Sequence, residues 1–182
     1  MALDEPPHSE RNGVSGISCE AQDFLGRGLG LVDIGFGWLL IGRAQDALDD
    51  AEAAGSLDAA VEGLRKAGQE QFVPQALLAR AAHRRKRVAA GETALLEPLR
   101  TDLAEIADIA EPEMRLHLTD LALERARLAL DVPSAFPNAR EEASRQTTVA
   151  AQLIAETGYH RRDGELAELK ARLAGGSSRA GA

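Results

Sequence analysis

Aromatic residues are scarce in this chain, at 3% of 182 positions, and cysteine occurs once. Four phenylalanines, one tryptophan and one tyrosine are too few for a fold built on strands, which draw on aromatic and β-branched side chains, so the composition predicts an all-α class. The lone cysteine, Cys19, excludes an internal disulfide framework and fits a reducing compartment. Long apolar runs are also missing. The greasiest stretch, residues 35–42, falls far short of the roughly 20 residues of a membrane span. Met1 to Ser18 is polar, with two prolines and no basic-then-apolar leader, so the sequence predicts a cytoplasmic protein. Positive charge is in deficit, 21 Lys and Arg against 29 Asp and Glu for a net charge of −8, which argues against a nucleic-acid or anionic-membrane partner.

Apolar residues make up 45% of the chain, and a recurring stripe organises part of them. Ala60, Leu64 and Ala67, then Leu99, Leu103 and Ile106, then Ala143, Thr147 and Ala150 share the offsets 0, +4, +7. Such offsets put three side chains on one side of an α-helix. Recurrence in successive helix pairs predicts an array in which each pair buries its face against its neighbours. The breaks come at Gly55-Ser56, Gly68, Pro74, Gly91, Pro112, Pro133 to Pro137 and Gly158, leaving seven or eight segments of helical length. Ser56 is placed to cap a helix over 57–67, and Asp163 one over 165–174. Segment 139–157 shows one narrow dry stripe, whereas 114–130 shows two, so the latter is expected to touch neighbours on two sides. Residues 1–17 and 175–182 hold little to bury and read as disordered ends of a domain spanning 18–174.

Trp38, Ile41 and Gly42 look like the W-x2-L-G opening of a tetratricopeptide repeat, and Ala60, Leu64 and Ala67 like its A-x3-F-x2-A closing. The chain resembles tetratricopeptide-like repeat proteins. From Phe36 to Leu173, about three quarters of the sequence, it is more specifically similar to the helical-repeat regions that follow the ATPase module in large bacterial signalling NTPases. GLRKAGQEQFVPQALLARAAHRR, MRLHLTDLALERARLAL and LIAETGYHRRDGELAEL carry that likeness. The resemblance implies a right-handed α-solenoid of about three antiparallel helix pairs with a C-terminal capping helix, working as a protein-interaction scaffold. The stripes recur after 39 and 44 residues, against about 34 in the standard repeat. No G-x4-G-K-[ST] loop is present, so no nucleotide cofactor is implied.

Arg80, His83, Arg84, Arg85, Lys86 and Arg87 form a dense basic run, with Arg80, Arg84 and Arg87 on one helical face. If helices near 36–50, 75–90 and 113–130 line a concave groove, that face would receive an acidic peptide or carboxylate. Trp38, Arg80, Arg84, Arg87 and Arg125 are then the candidate partner contacts. The competing reading pairs these arginines with acids on neighbouring helices, such as Glu105, Asp108 or Glu124. Gly26, Gly28, Gly30, Gly35 and Gly37 lack the preceding strand of a phosphate loop and read as a bend or a site of close packing. His8, His83, His117 and His160 are too far apart in sequence for helix-based metal ligation, so no metal is expected. Two rivals stand beside the groove: a detached oligomerisation tail of a larger NTPase-type protein, and a helical enzyme using His83, His117 and nearby acids. An uncovered apolar surface on the first helix pair would favour self-association.

Overall fold

The computed structural model describes residues 30–110 and 114–175, and every regular element among them is helical. The expectations for residues 1–17, for Cys19, His8, Gly26 and Gly28, for the break at Pro112 and for the tail beyond Gly175 lie outside the described residues. The chain divides into two compact units, Met1–Gln69 and Glu70–Ala182.

The first unit is an antiparallel hairpin of α1 (Leu31–Ala47) and α2 (Ala53–Lys66). Its seam is set by missing side chains. A Cβ on Gly35 would lie 2.8 Å from Leu64 Cγ, and one on Gly42 would lie 2.8 Å from Leu57 Cγ. These two pairings share one antiparallel register, which sets Leu39 opposite Ala60. Each large residue thus meets a small one, and Leu39, Leu57, Ala60 and Leu64 are all buried. The glycine-rich lead-in is therefore helical from Leu31, with Gly35 in the close-packing role read from the sequence. The expected break at Gly55-Ser56 is not one. Gly55 sits inside the first turn of α2, and Ser56 is buried in the helix instead of capping it. The chain turns earlier, where Asp49 adopts a φ of 53° and the Asp50 carboxylate accepts a hydrogen bond from the Glu52 amide at 2.9 Å. Aspartate tolerates both roles without glycine.

The second unit contains α3 (Val73–Ala89), α4 (Leu96–Ile109), α5 (Arg115–Asp131), α6 (Ala139–Thr157) and α7 (Asp163–Gly175). Turns of 3-10 helix at Glu70–Phe72, Thr93–Leu95, Pro133–Ala135 and His160–Arg162 lead into α3, α4, α6 and α7. Gly68, Gly91 and Gly158 each follow a helix with positive φ, the left-handed conformation that glycine adopts at no steric cost. Helix α5 is the central element, packing on α3, α4, α6 and α7. This agrees with its two apolar stripes. Ala122, Leu123 and Ala126 of α5 form one core with Ala150 and Ile154 of α6 and Leu166 and Leu169 of α7. The stripes at 99, 103 and 106 and at 143, 147 and 150 are buried in full.

Candidate functional site

Helix α5 carries a charged stripe beside its apolar ones. Asp120, Glu124, Arg127 and Asp131 recur at 0, +4, +7 and +11 and share one side of the helix. Glu124 accepts a hydrogen bond from Arg85 of α3 at 2.6 Å, and Asp131 binds the same guanidinium. Arg172 of α7 donates to Asp131 at 2.6 Å. Arg162 grips Asp120 through Nε at 2.7 Å and Nη2 at 3.0 Å, and also binds Glu165. Arg127 joins Glu124 to Glu165. The result is an alternating row, Asp120, Arg162, Glu165, Arg127, Glu124, Arg85, Asp131, Arg172, that ties α3, α5 and α7 together.

Titration behaviour follows from this arrangement. Burial opposes ionisation of Glu165, but hydrogen bonds and charge from Arg127 and Arg162 outweigh it and hold the carboxyl below the usual carboxylate range. Arg85 and Arg162 are likewise pulled down by burial and raised, on balance, by their carboxylate partners. Arg162 also stacks its guanidinium over the Tyr159 ring, 5.6 Å from the centroid.

The predicted groove cations are engaged elsewhere. Arg80 forks onto Asp102 of α4, Nη2 to Oδ1 at 2.7 Å and Nε to Oδ2 at 3.2 Å. Arg84 donates to the same carboxylate at 2.7 Å and to the Pro98 carbonyl at 3.1 Å. The Asp102 side chain is 2% exposed, so Arg80 and Arg84 are internal counter-ions rather than an open cationic face. A carboxylate buried between two helices demands such pairing, and these arginines supply it. Arg87 makes a surface pair with Glu92. Arg85, which is not on the face shared by Arg80, Arg84 and Arg87, is the one on the α5 row. Arg125 donates to the Leu103 carbonyl at 3.2 Å, and burial lowers its pKa against the opposing charge of Glu142. Within the second unit, Arg80 and Arg84 thus share Asp102, Arg87 pairs with Glu92 and Arg125 meets the Leu103 carbonyl, while Trp38 belongs to the first unit. The pairing of α3 arginines with neighbouring acids is the alternative that the structure shows, through Asp102 and Glu124.

His83 is buried in α3, His117 is half-buried in α5, and His160 is exposed beside Asp163, its Nδ1 3.0 Å from the carboxylate. Among the described residues no group of three His, Cys, Asp or Glu is placed to hold a metal. An open concavity on α6 is lined by Asn138, Arg140, Glu141, Ser144, Arg145 and Thr148. No described helix is long and apolar enough to cross a membrane.

Helix α1 is different. Its sequence, LVDIGFGWLLIGRAQDA, spreads apolar residues around the helix up to Ile41, with Asp33 as the one charge among them, yet only Gly35, Leu39, Gly42 and Gln45 are buried. Leu31 is 55% exposed and Leu40 68% exposed, and Ile34, Phe36, Trp38 and Ile41 are half-buried. The signal for this surface is a helix whose apolar residues are not confined to one face, which in water asks for a partner. No family model, curated protein or solved structure matches the chain.

Proposed function

We propose that the protein is a non-catalytic interaction scaffold, a tetratricopeptide-like helical array that binds protein, and that α1 is its contact helix. The exposed apolar surface of α1 carries this reading: a helix that leaves Leu31 and Leu40 in water gains from any partner that covers them, at about 25 cal/mol per Å². The array itself is supported by the second unit, where the first helices of successive pairs, α3, α5 and α7, pack in sequence. Contacts of that kind are those of stacked helix pairs. The α5 row makes the surface that would line a groove self-neutralised, so it offers an acidic peptide no spare cation, and the contact surface moves to α1.

The test is a photo-crosslinking amino acid placed at position 40 and, as control, at Glu168 on the polar side of α7. Covalent protein adducts from position 40 and none from position 168 are expected. Adducts from neither position, or equally from both, would remove α1 as the contact helix.

A further inference from the structure

The outward side of α1 has its own pattern. Asp33, Phe36, Leu40, Arg43 and Ala47 recur at 0, +3, +7, +10 and +14, the a and d spacing of a coiled-coil seam. They lie on the side turned away from Gly35 and Gly42. Asp33, Leu40, Arg43 and Ala47 are exposed and Phe36 is half-buried. A seam of this kind is incomplete without an opposing helix.

We infer that the opposing helix is α1 of a second copy, paired antiparallel about a two-fold axis at the level of Trp38; this rests on the reading of α1 as the contact helix. Charge decides the partner. Asp33 is the acid and Arg43 the base of the stripe, and each is five residues from position 38. Neither has an ion-pair partner among the described residues. A two-fold axis at that level sets Asp33 of each copy against Arg43 of the other, and Phe36 against Leu40 of the other. One charged pair at each end then flanks the two central Phe36–Leu40 pairs. An in-register parallel pairing would instead stack Asp33 on Asp33 and Arg43 on Arg43, which like-charge repulsion disfavours. An isologous contact needs one self-complementary patch, and this stripe is one. With α2 behind each α1, the product is a four-helix bundle.

Sedimentation equilibrium of the full chain, from micromolar to sub-millimolar concentration, tests the inference. A monomer–dimer equilibrium is expected for the native protein, and loss of the dimer for Leu40→Glu. Asp33→Arg and Arg43→Asp are each expected to weaken dimerisation about tenfold, because each turns two attractions into repulsions. The double variant, Asp33→Arg with Arg43→Asp, is expected to return the dissociation constant to within about threefold of native, since the swap restores both pairs. Native helicity by circular dichroism and unchanged Trp38 emission confirm folding in each variant. A monomeric native protein, single swaps without effect, or a double variant that stays monomeric while folded would each overturn the inference. A monomer that still gives adducts to other proteins from position 40 would remove the second copy and leave the scaffold reading standing. Absence of both dimer and adducts would remove both.

Discussion

The hairpin of the first unit is closed by atoms that are absent, and the helices of the second, beside their apolar core, by charges that are present. Gly35 and Gly42 let Leu64 and Leu57 reach the α1 backbone, so α1 and α2 adhere through close van der Waals contact, which neither protons nor salt can cancel. Helices α3, α5 and α7 are tied by an alternating row of carboxylates and guanidiniums, and α3 is joined to α4 through Asp102. One mode is steric and indifferent to pH; the other is electrostatic and depends on ionisation. The single tryptophan, Trp38, lies in the first unit and the single tyrosine, Tyr159, in the second. Each unit thus carries its own optical reporter.

The contrast breaks most sharply at Asp102. Asp102→Ala strands Arg80 and Arg84 without their buried carboxylate and is expected to cost the second unit about 3–5 kcal/mol. In urea unfolding the circular-dichroism transition should move to lower denaturant while the Trp38 transition holds its place; a shift below about 1 kcal/mol would mean that Asp102 is replaceable by water. Gly42→Val tests the opposite unit. Its Cβ meets Leu57 Cγ at 2.8 Å and the Leu57 amide nitrogen at 3.1 Å, and backbone cannot step aside as a side-chain tip can. A loss of about 2 kcal/mol is expected in the Trp38 transition, and a neutral result would show that the helices part without cost.

Acid sharpens the comparison further. Glu165 and Glu142 both have folded pKa values below their ordinary ones; for Glu142, burial is outweighed by Arg145, Gln146 and Arg125. A depressed carboxyl contributes stability that is whole above its unfolded pKa, about 4.3, and is lost as pH falls through the folded value. Between pH 7 and pH 3 the second unit is expected to weaken, with the decline confined to the region below about 4.3; a flat profile would deny these carboxyls their role. The smallest effect is expected at the end of the row. Arg172 is 37% exposed, so Arg172→Ala should cost about 0.5 kcal/mol or less, and a larger loss would mean that the row acts as one cooperative network.

Periodic apolar spacing made the packing faces legible: the positions at 99, 103, 106, 143, 147 and 150 are buried as their offsets predict. Ser56 was misleading because a serine before an apolar run looks like a cap, whereas the Asp49 to Glu52 turn had already started the helix. The α5 row was written at the same offsets as the apolar stripes, yet charged residues in a helix read first as a solvated face. Glu124 is one of the acids that the sequence offers the α3 arginines, but that Arg85, 39 positions away, is the one to cover it shows only in the fold. Asp102, which takes Arg80 and Arg84, is not among the acids so named: the density of the basic run shows in sequence, and the choice of partner shows only when the opposing helix is in place. Gly35 reads in the sequence as a bend or a site of close packing and Gly42 as part of a repeat opening; that the two, seven residues apart on α1, form one seam against Leu64 and Leu57 shows only in the hairpin register.

The alternating row has a consequence at long range. Four anions interleaved with four cations form an object without a monopole, whose field falls off faster with distance than that of a net charge. The net charge of −8 is therefore felt from other residues. Between positions 30 and 69, seven acids and three bases leave an excess of −4. Half of the molecule's far field thus originates around the α1–α2 hairpin, so dissolved cations gather there, and the encounter rate of any charged visitor at α1 varies with ionic strength.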